Sequence, residues 1–219
     1  MDYLVNGCLK ASGAYAIELK GRSVELPCHG ADLLRLMIWS GYEEDPRAKR
    51  LLEWLVGIQG NDGIWPCVSK LRPFSCLWAT VDVLRAYREL PLNWVKPHIE
   101  KSRQLAIEQI LNSNLYQYGK GKTSPRWFEF GFPLRFDTDI LEVLELLAPH
   151  VSPEQEQIQE GLSLVLDKQK DDGCWLCDKH PKGGRWMKQF FDFEEIGQPS
   201  KWVTLHSLRM LKTLYGSAP

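Results

Sequence analysis

The chain has 219 residues, with 27 Lys and Arg against 28 Asp and Glu, a formal charge of −1, and 44% hydrophobic residues. That balance suits one soluble globular domain over 1–219 and leaves no basic surplus to neutralise a phosphate backbone, which excludes nucleic acid as an expected partner. The opening segment MDYLVNGCLKASGAYAIELKGRS has no basic start followed by a long apolar run, so neither a secretory signal nor a membrane span is expected and the protein reads as cytoplasmic.

Apolar periodicity predicts helices at 29–41, 45–59, 75–89, 97–113, 137–148, 152–169 and 200–215. They read as hairpins, 29–41 with 45–59, 75–89 with 97–113 and 137–148 with 152–169, leaving 200–215 without a partner. Asp45-Pro46 and Ser152-Pro153 each place an N-cap acceptor before a proline at the first helical position, and Gln155 completes a capping box. The longer connections, 114–136 and 170–199, hold Gly, Pro and aromatic clusters. No alternating run bounded by hairpin turns is present, so no strand is predicted.

Two segments repeat. QGNDGIW at 59–65 and QKDDGCW at 169–175 share Gln, Asp, Gly and Trp at identical offsets, and each follows an apolar-periodic helix. The helices after the longer connections also share a pattern, with Thr80, Thr138 and Thr204 near their starts.

Gln-x-x-Asp-Gly-x-Trp resembles the QW repeat of squalene and oxidosqualene cyclases. LWATVDVLRAY and FDTDILEVLEL likewise resemble inner helices of the terpenoid cyclase and protein prenyltransferase superfamily. The resemblance implies an all-α fold, an α/α toroid of helical hairpins that is open, truncated or completed by a second copy or a partner chain. It also implies structural clasps, one of Gln59, Gly63 and Trp65 and the other of Gln169, Gly173 and Trp175, each Gln capping the neighbouring helix and stacking on its Trp. The middle outer helix, ending QLAIEQILNSNLYQYG, lacks a copy.

Cyclases of that family protonate their substrate with an Asp-x-Asp-Asp segment, and the nearest match is RFDTDI at 135–140, which makes Asp137 and Asp139 the candidate acids. The structural alternative is Asp137 as an N-cap with Asp139 in the first helical turn. Asp171-Asp172 lacks the third carboxylate of a magnesium-binding Asp-Asp-x-x-Asp. At Trp78-Ala79-Thr80 and Trp202-Val203-Thr204 no histidine stands where prenyltransferases bind zinc.

Cys28, with His29 beside it, Cys67, Cys76 and Cys177 would share the rim of a toroid. They are candidate zinc ligands, against the alternative of inert buried thiols and no cofactor. Trp78, Trp127, Phe128, Phe136 and Trp202 are candidate cavity aromatics, against the alternative that they cover the end of the core. His180 reads as a surface-loop histidine and His206 as a core one. Two functions follow as expectations: a toroid binding an apolar, isoprenoid-class ligand in a central cavity, or a non-catalytic helical-repeat scaffold for a protein partner or self-association.

Overall fold

The computed structural model describes residues 2–69, 72–117, 123–134, 137–181, 189–190 and 192–216, and within them the chain is mainly helical. It divides into two compact units, Met1–Gln109 and Ile110–Pro219, where composition suggested one domain. Among the described residues no helix is long and apolar enough to cross a membrane.

The first unit runs α1 (Asp2–Cys8), β1 (Ala16–Leu19), β2 (Arg22–Glu25), α2 (Pro27–Trp39), α3 (Pro46–Gly57), β3 (Pro66–Ser69), β4 (Arg72–Ser75), α4 (Leu77–Arg88) and most of α5 (Pro97–Asn112). The expected cap is in place: Asp45 Oδ1 accepts from Arg47 N at 2.8 Å and Pro46 begins α3. α2 packs on α3 and α4 through Leu33, Leu34 and Met37, which meet a core that includes Leu51, Leu52 and Leu55. In α4, ten of twelve residues are buried, Asp82 and Arg85 among them, and those two pair at 2.5 Å. A helix apolar or internally neutralised on every side belongs in an interior.

The second unit holds a 3-10 turn (Pro125–Phe128), α6 (Ile140–Leu147), α7 (Glu156–Asp167), β5 (Trp175–Leu176), β6 (Pro199–Ser200) and α8 (Lys201–Tyr215), with α6 packed on both α7 and α8. Two expected starts move. α7 begins at Glu156 behind Gln155, which makes no side-chain cap, so Ser152 and Gln155 form no capping box. α6 begins at Ile140, and Asp139 is its N-cap, accepting from Glu142 N at 3.0 Å.

The three antiparallel hairpins, β1-β2, β3-β4 and β5-β6, were not predicted. Their strands are two to four residues long, and prolines stand at 66, 73 and 199. So short a strand shows no alternation, and proline argues against a strand at all.

Each hairpin lies between two helices and is entered through the same turn, which occurs three times among the described residues. In the second copy Gly60 N donates to Ile64 O and Gly63 N to Gly60 O, both at 2.9 Å, and Asp62 Oδ1 accepts from Ile64 N at 3.1 Å. Lys170, Gly173, Cys174 and Asp172 repeat all three bonds. So do Lys10, Gly13, Ala14 and Ser12, a copy that sequence reading missed because it keeps only the glycine: Leu9 stands for Gln, Ser12 for Asp and Tyr15 for Trp.

The tryptophan has a specific reason. Around the end of α3, Ile58 N bonds Trp54 O and Gln59 N bonds Val56 O, passing over Leu55 O, and the buried Trp65 indole donates to that carbonyl at 2.7 Å. α7 ends the same way, with Trp175 Nε1 on Val165 O at 2.6 Å. At the end of α1 the corresponding carbonyl, Val5 O, accepts from Leu9 N, so Tyr15 serves without an indole. Helix-terminal carbonyls need partners when buried, and each copy supplies one.

Gly63 sits at φ +81° with Leu105 O only 2.4 Å from where a Cβ would lie, whereas Gly173, at the same φ, meets among the described residues only Gln169 Nε2 at 3.9 Å. Alanine at either position incurs the left-handed penalty of about 1–2 kcal/mol. At Gly63 it also collides with backbone, adding an overpacking cost of roughly 1–3 kcal/mol. Urea denaturation of the two variants is expected to show Gly63→Ala as clearly the less stable; equal losses would mean that α5 does not press on this turn.

Candidate functional site

The polar centre of the second unit is built where α6 begins. Ser124 caps the 3-10 turn by accepting from Arg126 N at 3.4 Å, and the turn aims Arg126 at Asp137. Arg126 Nε and Nη2 donate to Asp137 Oδ2 at 3.0 and 2.5 Å, and Nη2 also donates to His180 O at 2.8 Å. Two residues on, the Asp139 cap lies 3.7 Å from Lys179 Nζ, which itself donates to Arg126 O at 2.8 Å and Thr138 O at 3.2 Å. Asp137, Thr138, Asp139 and Lys179 are all buried.

The 130-loop is laid against the 178-loop by backbone. Asp178 N donates to Phe130 O at 2.7 Å, and Phe130 N donates to the Asp178 carboxylate at 2.9 Å. Gly131 pairs with Lys179, and any Cβ at 131 would meet Lys179 O at 2.3 Å.

This arrangement fits cross-linking better than proton donation. A carboxylate held by two guanidinium N–H groups is favoured in its ionised form, the opposite of what an acid aimed at an alkene needs. Asp139 spends one oxygen capping α6 and faces an ammonium with the other. The expected placement, Asp137 as N-cap with Asp139 in the first helical turn, is corrected: Asp139 is the N-cap of α6 and Asp137 lies before the helix, turned to Arg126.

The candidate aromatics fall in both units. Trp78 is half-buried in the first unit. Trp127 is buried, and Phe128 meets Tyr116 edge-on at 5.0 Å in the second unit. Phe136 lies outside the described residues. Trp202 is 37% exposed and stacks on Phe132 at 4.6 Å, and the ring of His206, one turn further along α8, is 5.8 Å from Phe132. His206 is half-buried and donates to Glu145 Oε2 at 2.6 Å, and His180 donates to Glu194 O at 2.8 Å, so both imidazoles are engaged structurally. Phe132, Arg126 and Lys179 were not singled out in the sequence, and nothing in local spacing marks them.

The four cysteines proposed as metal ligands are not gathered as a set. Cys177 is buried in the second unit, its thiol donating to Lys179 O at 3.5 Å. Cys28, Cys67 and Cys76 lie in the first unit, on α2, on β3 and just before α4, and Cys28 Sγ is 3.2 Å from His29 Nδ1. Among the described residues no group of three or more His, Cys, Asp or Glu side chains is arranged to hold a metal ion.

The clasps differ in what they reach. Gln59 Nε2 donates to Gly63 O and to Ser102 O of α5, both at 2.9 Å, tying α3 to α5. Gln169 Nε2 makes the first of these bonds, to Gly173 O at 3.2 Å, and is exposed. Thr80 and Thr204 accept from Trp65 N at 3.1 Å and Trp175 N at 3.0 Å, locking each turn onto its inner helix, and Gly30 stands at the corresponding place in α2.

No protein-family model matches this chain, and no curated protein is significantly similar to it. Functional conclusions therefore rest on geometry.

Burial pulls the Lys179 ammonium below its ordinary range, with Arg126 adding repulsion and Asp139 and Asp137 opposing the shift. With the folded pKa lowered, the unfolded chain binds more protons between that value and 10.5, so stability rises with pH across this window. Urea unfolding over the alkaline range is expected to show that rise in wild type and not in Lys179→Met; parallel curves for the two would place the shift elsewhere.

Proposed function

We propose that this chain is a helical-repeat scaffold, an incomplete α/α toroid, whose third clasp docks an outer helix from outside these 219 residues, supplied by a second copy of the chain. The observation that supports it is the contrast between clasps. The second presses Gly63 into the backbone of α5 and donates from Gln59 to Ser102 O. The third has the same internal bonds but leaves Gln169 exposed. Beside it α8 exposes Trp202, Leu205, Leu208 and Tyr215, and α7 exposes Leu166. A run of large apolar side chains along one edge marks an interaction surface.

A second copy offers the complementary edge. α1 is an outer helix, held along α3 by Arg47 donating to Asp2 and Asn6, and it exposes Tyr3. α2, the first inner helix, exposes Leu36 and Trp39. Because the clasp binds a backbone carbonyl, the incoming helix needs no particular side chain at the contact. Such a head-to-tail contact is heterologous, giving rings or filaments. Sedimentation across a concentration series is expected to show species above monomer mass for wild type and monomer for Leu208→Glu/Tyr215→Glu, with unchanged helical circular dichroism. A wild type that stays monomeric at the highest attainable concentration sinks the proposal.

A second reading, an apolar isoprenoid-class ligand bound by a toroid of the cyclase and prenyltransferase type, is favoured by the Phe132–Trp202 stack on the second unit. Stacked, partly exposed rings offer a face to a polyene or a cation. Titration with squalene or an isoprenoid diphosphate analogue, read by tryptophan fluorescence, is expected to respond in wild type and in Asp137→Asn but not in Trp202→Ala. No response in wild type removes this reading.

A further inference from the structure

α8, KWVTLHSLRMLKTLY, carries Lys201, Arg209 and Lys212 and no acidic residue. At about 3.6 residues per turn its sides have separate duties. Val203, Ser207, Met210 and Leu214 are buried, and His206 is held to Glu145 of α6 at 2.6 Å. Lys201, Leu208, Lys212 and Tyr215 stand about 180–240° around the helix from His206, on the side turned away from that bond. All four are exposed. Among the described residues neither lysine has an acidic partner, and Lys201 Nζ lies over the Trp202 ring at 5.4 Å.

The surroundings of α2 are charged in the opposite sense. Residues 25–45 hold Glu25, Asp32, Glu43, Glu44 and Asp45 against Arg35 alone among Lys and Arg. Glu25 is exposed just before α2, and Glu44 is exposed after it, meeting Lys49 at 3.6 Å in a surface pair that contributes little. Beyond α2 the chain reverses at Gly41, φ +76°, and Tyr42 N donates to Met37 O at 2.8 Å, which brings Glu43 and Glu44 back beside the last turn of the helix.

α2 and α4 show how such helices stand next to each other. The start of α2 packs on β3, whose partner β4 leads into α4, and the last residue of α2, Trp39, donates to Glu89 Oε2 just past the end of α4 at 3.3 Å. The two helices are therefore parallel and level, with Gly30 of α2 matching Thr80 of α4. Thr204 is the corresponding position in α8. Setting α8 beside the α2 of a second copy in the same way puts Lys201 level with Pro27, two residues from Glu25, and Lys212 level with Ile38, in the turn beside Glu43 and Glu44.

Taking a second copy as the occupant of the third clasp, the reading on which this inference rests, we propose that charge selects the docking edge and fixes its register. Lys212 pairs with Glu44 of the second copy and Lys201 with its Glu25, so that α8 and the second copy's α2 lie parallel and level, as α2 and α4 do within one chain. Exposed ion pairs add little affinity singly, but like charges set opposite each other are repelled, and that repulsion discriminates between arrangements. An α8-on-α8 contact would set lysine against lysine, whereas α8 on α2 sets lysine against glutamate at both ends.

Sedimentation of the full chain over a concentration series gives the apparent dissociation constant. Lys212→Glu is expected to weaken association at least about fivefold. Adding Glu44→Lys to that variant is expected to restore it to within about twofold of wild type, and adding Glu25→Lys instead to leave it weak. All three side chains are exposed, so helical circular dichroism is expected to stay unchanged throughout. A wild type that stays monomeric removes the second-copy reading and this inference together. Association that Lys212→Glu leaves unchanged, or that Glu44→Lys does not restore, or that Glu25→Lys restores in its place, overturns the inference and leaves the second-copy reading standing. A monomer that co-sediments with phosphatidylserine–phosphatidylcholine vesicles, and is released from them by Lys212→Glu, gives the face to an anionic lipid surface and overturns both.

Discussion

A helix that ends inside a protein leaves carbonyls that water cannot reach, and the way this chain pairs them organises both units. At the ends of α3 and α7 the backbone skips one carbonyl, Leu55 O or Val165 O, and an indole N–H arriving ten residues later takes it. The indole must be fully buried to get there, as Trp65 and Trp175 are. Burying an aromatic of that size stabilises by roughly 4–6 kcal/mol gross. One side chain thus terminates the helix and seeds the core, and the glycine two residues before it lets the chain reverse tightly enough to deliver it.

The next bonds follow from that placement. With the indole fixed, the Trp65 and Trp175 backbone N–H groups point into the first turn of the following inner helix, where a threonine hydroxyl accepts. Thr80 in turn donates to Cys76 O, so the hydroxyl is used in both directions. In α2 the same position is glycine, because a Cβ there would meet the Tyr15 side chain at 3.2 Å and the Trp54 ring at 2.9 Å. Hydroxyl capture and close ring packing are alternative ways to seat the same turn.

The second unit adds a device of its own at α6. Two carboxylates spaced by one residue receive different cations, Asp137 an arginine from before the helix and Asp139 a lysine from well after it. Their backbone carbonyl partners, His180 O for Arg126 and Arg126 O for Lys179, close the arrangement. Buried charges persist only when paired and hydrogen-bonded, and here the pairing joins three separated segments. What resembled an acid motif is better understood as a junction.

Local rules read from sequence located seven helices and the two tryptophan turns but not α1, because capping, apolar periodicity and turn glycines act over spans of about four residues and α1 is only seven residues long. Asp45, Pro46, Gly63 and Gly173 each declare their backbone role without reference to distant residues. Other features depended on contacts that no spacing encodes. Thr204 meets Trp175 across 29 residues and Arg126 meets His180 O across 54. The Ser12-Gly13-Tyr15 turn is a repeat in hydrogen bonds rather than in letters. Sequence alone determined roughly where the helices after α1 form and that the tryptophan turns end two of them. Tertiary structure decided which clasp reaches a neighbouring helix and which is exposed, and which acids are neutralised, because each of these depends on atoms that only packing brings within bonding distance.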